Sequence, residues 1–212
     1  MIKMNPQIEI FPLFSTPVVK TKLEFTPDIE YLESLEYYTY GDGTGYGSKN
    51  EKILLEDHFI DLRSQIENYL NVFLFEILSF TEGKIAHTRS WINLHKPGSF
   101  APRHNHTNSC YSGVYYLDIP QDGGMIWFIK PNEIPTFASP TVLPTLGHYN
   151  VYNSNEFGFE VTNNDLILFP SHLTHKVDKN KSNYNRYSLA FNYFIEGSLG
   201  GKTGRANLQV IQ

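Results

Sequence analysis

Asp165-Leu166-Ile167-Leu168-Phe169-Pro170-Ser171-His172-Leu173-Thr174-His175-Lys176-Val177 is the stretch whose reading decides the fold. An unbroken apolar run of strand length, Leu166 to Phe169, ends at a proline, turns, and re-enters a strand at His175. Working outward from it, the chain from Gly83 onward consists of short alternating segments separated by turn residues about every 8 to 12 positions, the texture of an antiparallel sandwich or barrel. Strands are expected near His87 to Leu94, Cys110 to Leu117, Met125 to Ile129, Tyr149, Phe157 to Val161, Leu166 to Phe169, His175 to Val177 and Tyr187 to Ile195.

Upstream the pattern differs. Ile8 to Phe14 and Pro17 to Leu23 are β-branched and proline-punctuated, which reads as an extended arm or edge strand. Thr26-Pro27-Asp28 starts a short helix to about Glu36, with Ile29, Leu32 and Leu35 on one face. Glu56 to Phe80 carries the one long helical pattern, with apolar residues at i, i+3, i+4 and i+7. Between them, Tyr40-Gly41-Asp42-Gly43-Thr44-Gly45-Tyr46-Gly47-Ser48 reads as a mobile loop of the kind that borders a site. No repeat or linker is visible. The expectation is a single domain over 1-212: an arm and helices (1-82), a β core (83-196) and a tail (197-212).

Composition narrows the function. Of 212 residues, 41% are hydrophobic and 15% aromatic, which supports a folded, strand-rich chain. Seventeen basic against 22 acidic residues give a net charge of −5, so no general nucleic-acid footprint exists and no nucleic-acid partner is expected. The single Cys110, the lack of a leader and the lack of a long apolar run lead us to expect a cytoplasmic protein without membrane association. Gly197-Ser198-Leu199-Gly200-Gly201-Lys202-Thr203 has one residue too few between its outer glycine and Gly-Lys-Thr to be a phosphate loop.

Six of the eight histidines lie between His95 and His175. In His104-Asn105-His106 two imidazoles at i and i+2 point to one face of an extended segment and can share a metal. The segment ending at His175 is the candidate for the third ligand. Eleven residues further, Arg186 and Ser188 share a strand face, where guanidinium and hydroxyl can grip one carboxylate. A metal beside a carboxylate clamp suggests a dicarboxylate cosubstrate. His95 is in phase with Trp91 and Asn93 and either faces the site or is an ordinary strand histidine.

These residues give the chain a resemblance to the Fe(II)- and 2-oxoglutarate-dependent oxygenases, and within them to a group of small oxygenases common in bacteria and phages. The matching residues are Trp91-Ile92-Asn93, His104-x-His106 with Ser112-Gly113-Val114-Tyr115-Tyr116-Leu117, Gly123-Gly124 before Met125-Ile126-Trp127-Phe128, Leu168-Phe169-Pro170-Ser171-x-x-x-His175, and Arg186-x-Ser188 with Phe191-Asn192; the arm Phe11-Pro12-Leu13-Phe14 matches more loosely. The resemblance implies a mainly β fold, a double-stranded β-helix (jelly-roll, cupin-like), here with one long and one short N-terminal helix packed outside. It implies Fe(II) with its first ligand at the His104 motif and its distal ligand at His175, with His172 at the rim; together with the spacing of His106 this makes His104, His106 and His175 the expected metal set. It implies 2-oxoglutarate held at its far carboxylate by Arg186, with Ser188 and Tyr116 assisting and Asn93 and Asn192 as further contacts. The implied reaction is oxidative decarboxylation of 2-oxoglutarate to succinate and CO2, coupled to hydroxylation of a small-molecule or peptide substrate. The compartment becomes the host cytoplasm if the chain is phage-encoded, and a homodimer stays open.

The wider superfamily places Asp or Glu two residues after the first histidine, where this chain has His106. Three imidazoles would leave the site one unit more positive than two imidazoles and a carboxylate. A vacant third position, or a carboxylate such as Asp118, Asp122 or Asp165, stays open, although no spacing places those three at the metal. Two other functions compete: a cupin-like three-histidine dioxygenase that works without 2-oxoglutarate, and a non-catalytic β-sandwich binding module with incidental histidines. Gly41 to Gly47 and Pro131 to Asn155 are expected as lids.

Overall fold

A computed structural model of the chain describes residues 9, 11, 14–41, 43–130, 145–201 and 203–211. Twelve strands occur among them: β1 (Val19–Lys22), β2 (Tyr37–Thr39), β3 (Tyr46–Ser48), β4 (Lys84–His95), β5 (Ala101–His104), β6 (Tyr111–Asp118), β7 (Ile126–Ile129), β8 (Glu156–Phe159), β9 (Asp165–Pro170), β10 (His175–Val177), β11 (Arg186–Leu199) and β12 (Ala206–Leu208). A large antiparallel sheet runs in the order β1-β9-β6-β11-β4-β3-β2, with β12 folded back on the end of β11, and a smaller one runs β5-β10-β7-β8. Two antiparallel sheets with few helices make the jelly roll expected from the sequence. The large sheet draws strands from both sides of residue 83.

The two-residue period of the central strands sorts their side chains onto opposite faces. On one face Tyr115 and Leu117 of β6, Leu166 and Leu168 of β9, Ile92 and Leu94 of β4, and Tyr187, Leu189 and Phe191 of β11 pack with the helices in the larger core. On the other, Tyr116, Ile167 and Phe169 meet Ile126 and Phe128 of the small sheet. Arg186, Ser188 and Ala190 of β11, and Trp91, Asn93 and His95 of β4, also turn to that inner face, where they line a cavity. The apolar residues of the outer face, each worth about 1.5–3 kcal/mol when fully buried, anchor strands whose inner face carries polar groups.

The short helix is α1 (Ile29–Ser34), whose N-terminus is capped by Asp28, its Oδ1 accepting from the Tyr31 amide at 3.0 Å. The long pattern from Glu56 to Phe80 does not form one continuous α-helix. Two 3-10 turns (Ile53–Leu55, Asp57–Phe59) lead into α2 (Ile60–Asn71), and a π-helical stretch follows (Val72–Ile77). The widened turn, seen in the Leu78 amide donating to the Phe73 carbonyl at 3.0 Å, buries Phe73 and Leu74 side by side while Ile77 is turned out to solvent.

Other departures have local causes. Tyr40 to Ser48 is the tip and second arm of a hairpin, β2 paired with β3 and β3 with β4, rather than a loop throughout. Residues 145–155 hold turns, and Tyr149 is exposed in no strand. β5 carries Pro102 and lies at the edge of the small sheet, where a missing amide costs no ladder bond. The expected tail includes the end of β11 and the paired β12. Pro12, Leu13, Asp42 and residues 131–144, which fall in the arm motif and the two suggested lids, lie outside the described residues.

Gly113 in β6 sits against β11 where any Cβ would overlap the Phe191 ring and approach Leu168 Cδ2 to 2.8 Å. Both neighbours are buried and have nowhere to go. Gly113→Ala is expected to cost about 1–3 kcal/mol of stability through overpacking, read as a lower urea midpoint; an unchanged midpoint would contradict this packing.

Candidate metal and anion site

His104 closes β5 and His175 opens β10, and the two are direct partners in the β5–β10 ladder. Backbone pairing therefore sets their rings 4.2 Å apart, centroid to centroid. Each ring has its Nδ1 against a main-chain carbonyl two residues back: His104 with Pro102 at 2.8 Å and His175 with Leu173 at 3.0 Å. A carbonyl can only accept, so Nδ1 carries the proton and Nε2 keeps its lone pair, the tautomer a metal ligand needs. His106 lies just beyond β5, with its ring 5.3 Å from that of His104 and 5.1 Å from that of His175, and with Trp91 and Phe169 alongside. One potential ligand atom from each of the three residues lies within 4.8 Å of the other two.

Burial, with His104 alongside, pulls His106 down to about 4 and His175 to about 3. Both are neutral at pH 7 and available as ligands. Among the described residues no Asp or Glu lines the cavity. Asp165, one of the carboxylates considered above, lies in ion pairs with Lys20 and Lys22, both at 3.3 Å, and Asp118 and Asp122 are not cavity residues. The donor set is three imidazoles, and it fits a divalent transition metal.

The same cavity, about 420 Å³, contains Arg186. Its side chain is 1% exposed, and its Nη1 donates to the Gly123 carbonyl at 3.0 Å. Nε has no partner, and among the described residues no carboxylate forms an ion pair with it. Burial pulls its pKa below the usual arginine value, yet a guanidinium keeps its charge at any physiological pH. Asp178 attracts it only from beyond ion-pair distance; a buried cation with no carboxylate in contact is costly, and an anion entering the cavity relieves that cost. Tyr116 is fully buried, with its ring centroid 5.5 Å from the guanidinium carbon; its hydroxyl lies near Arg186 without a well-aligned hydrogen bond, and burial pushes its pKa up. Ser188 lines the cavity beside Arg186 and is the ladder partner of both Tyr116 and Asn93.

The remaining residues separate into two groups. Asn93 lines the cavity, its Oδ1 accepting from the Tyr40 hydroxyl and from Trp91 Nε1 at 3.0 Å. His95 is buried beside its ladder partner Arg186 and is held down to about 4, first by burial and then by that cation; its ring approaches the Phe100 backbone without an aligned hydrogen bond. Asn192 does not line the cavity: its Oδ1 accepts from Ser112 Oγ at 2.7 Å, so the cosubstrate contact expected of it is not formed. His172 is exposed in the turn before β10. Sequence reasoning missed the Gly123 carbonyl as a partner of Arg186. Tyr40 and Trp91 line the cavity as the glycine-rich loop and the Trp91-Ile92-Asn93 motif suggested, but sequence reasoning missed Tyr38 and Arg89, which complete this outer wall with the Arg89 guanidinium carbon 4.9 Å from the Trp91 ring centroid. The available signals were the Gly123-Gly124 pair and the tyrosines flanking the glycine-rich tip.

Residues 89–192 match a family described as "Putative 2OG-Fe(II) oxygenase". The chain has no match among curated proteins. Among solved structures it is similar to a Pseudomonas putida prolyl-4-hydroxylase, at 15% identity and a TM-score of 0.58 over 86% of this chain and 95% of that one. It is similar to the non-heme alpha ketoglutarate dependent epimerase SnoN from nogalamycin biosynthesis, at 13% identity and a TM-score of 0.57 over 85% and 78%. It is also similar to HygX from Streptomyces hygroscopicus, solved with nickel and 2-oxoglutarate, at 12% identity and a TM-score of 0.52 over 85% and 86%. At these identities the likeness is one of fold. Among the described residues no helix is long and apolar enough to cross a membrane.

Four rings, the buried His87, His95 and His175 and the partly buried His106, are held down to about 3 to 4 by loss of solvent. As pH falls below their ordinary value near 6.5, the unfolded chain takes up protons that the native state refuses. The stability present above pH 6.5 is therefore lost as the pH drops toward 4. Urea titrations of metal-free protein should show a plateau above pH 7 and a progressive fall in midpoint from pH 6.5 to 4; a flat profile would contradict these burials.

Proposed function

The β core from residue 89 to 192 belongs to the "Putative 2OG-Fe(II) oxygenase" family, and from that premise we propose that the chain is an Fe(II)- and 2-oxoglutarate-dependent oxygenase hydroxylating a small-molecule or peptide substrate. Membership sets aside the non-catalytic binding module. The observation that carries the reading is Arg186, a buried guanidinium whose Nε has no partner and which meets no carboxylate in an ion pair among the described residues, in the same cavity as three imidazoles. One group suits a divalent metal, the other a carboxylate, and a 2-oxo diacid presents a chelating end and an anionic end together.

In this reading His104, His106 and His175 hold the iron facially. Arg186 binds the far carboxylate of 2-oxoglutarate, with Ser188 and Tyr116 offering hydroxyl donors on neighbouring strands. When bound, iron and 2-oxoglutarate supply the oxidation of a substrate C–H bond by O2, with release of succinate and CO2. The protein's own contribution is mainly electrostatic and steric. Burial keeps His106 and His175 neutral at pH 7, so neither would offset the charge of a metal held there; Arg186 adds a permanent cation to the cavity, and the inner sheet faces exclude bulk water. Asn93 keeps its amide NH2 for a ligand while its carbonyl is engaged by Trp91 and Tyr40. Arg89, Trp91, Tyr40 and Tyr38 form the wall that a substrate would meet.

That no carboxylate lines the cavity among the described residues favours one competing reading, a three-histidine dioxygenase acting directly on a chelating substrate. Arg186→Ala separates the two. Anaerobic titration of the Fe(II) protein with 2-oxoglutarate should give a weak visible charge-transfer band, and aerobic turnover should form succinate. Arg186→Ala should weaken 2-oxoglutarate binding by about 100-fold or more, the cost of removing one member of a buried charged pair, with metal binding retained. Equal binding by both proteins would favour the second reading, and no band with no succinate in folded wild type would overturn the first.

A further inference from the structure

The three imidazoles are not held by the same means. His104 and His175 face each other across a β ladder, so strand pairing alone sets their spacing. His106 stands past the end of β5, outside any strand, and needs another restraint. Its amide donates to the Ser171 carbonyl at 2.9 Å, and the Ser171 amide donates to the Cys110 carbonyl at 2.9 Å. Ser171 thus fastens the segment between β5 and β6 to the turn that leads into His175.

Beneath this main-chain clasp runs a line of polar side chains. Ser171 Oγ lies 2.8 Å from Ser112 Oγ and 2.8 Å from Ser109 Oγ; Ser112 Oγ lies 2.7 Å from the Asn192 amide; Ser109 Oγ donates to the Tyr193 carbonyl at 3.2 Å. Ser112 and Ser171 are 1% exposed and Asn192 6%. Each hydroxyl has one proton to give. Ser112 Oγ gives its proton to Asn192 Oδ1, Ser171 Oγ to Ser109 Oγ, and Ser109 Oγ to the Tyr111 or the Tyr193 carbonyl at 3.1 and 3.2 Å, while the Ser112 and Ser171 hydroxyls touch at 2.8 Å in the middle of the line. This joins the central strands β6 and β11 to the backbone that carries His106.

We propose that the buried chain Asn192, Ser112, Ser171 and Ser109 is a positioning device for the third ligand, holding His106 against the His104–His175 pair and so setting the metal affinity of the site. The inference rests on reading the three histidines as a metal site. It also gives Asn192 a role in place of the cosubstrate contact it does not make.

A metal-binding cycle tests it on the whole protein, with Zn(II) titrated calorimetrically at pH 7.5 into wild type, Ser171→Ala, His106→Ala and the double variant. Ser171→Ala should weaken Zn(II) binding by about 10- to 100-fold, the range for groups that orient a ligand, and should cost nothing further in the His106→Ala background, because its effect passes through that ring. Cu(II)-loaded Ser171→Ala should show fewer coordinated imidazole nitrogens than wild type by electron paramagnetic resonance. If Ser171→Ala does not fold, Ser112→Ala, which removes the hydroxyl between Asn192 and Ser171, takes its place in the cycle. Unchanged affinity, or an equal loss with and without His106, would overturn the positioning role while leaving the metal site intact. A folded wild type that binds no Zn(II) would overturn the metal site itself.

Discussion

The arrangement depends on the central strands β4, β6, β9 and β11 being covered on both faces. A strand alternates its side chains strictly, so covering both faces forces each residue to one of two environments. Here the outer environment is a dense apolar core against α1, α2 and the turns around them, and the inner one is part apolar core, part cavity. The outer face supplies the hydrophobic stabilisation. The inner face can then hold groups that oppose folding, such as a guanidinium with no carboxylate in contact and several rings that burial keeps unprotonated.

Those destabilising groups are informative because they cluster. Isolated buried polar side chains are usually satisfied by their surroundings. In this cavity Arg186 Nε, the Tyr116 hydroxyl and both nitrogens of His95 lack aligned partners. Three imidazoles with no carboxylate beside them among the described residues, next to a permanent cation, make the interior attractive to anions and hostile to further cations. Selectivity for an anionic chelator would follow from charge before any detailed fit.

Much of this could be read from residue order. The run Leu166 to Phe169 and the alternation from Tyr187 to Ile195 located strands because long central strands leave a strong periodic trace. The His104-x-His106 spacing and Arg186 with Ser188 located the site because strand geometry converts i, i+2 into a shared face. What escaped was set by tertiary context. β2, β3 and β12 are three residues each and too short to leave a pattern. β5 contains a proline that only its edge position tolerates. The π-helical end of the long helix resembles ordinary helical periodicity because Phe73, Leu74, Ile77 and Leu78 fit either. Asn192 shared the phase of Arg186 and Ser188, yet Ser112 engages it, and that neighbour is set by the register between β6 and β11.

Unequal exposure across the histidine cluster has a kinetic meaning. His175 is almost wholly enclosed and His106 partly so, while His104 stands at the open edge of the small sheet. Among the described residues His104 is therefore the solvent side of the cluster, and a metal held by the three rings would be reached from there without parting the sheets, so its occupancy would follow the free metal concentration around the protein rather than being fixed once at folding.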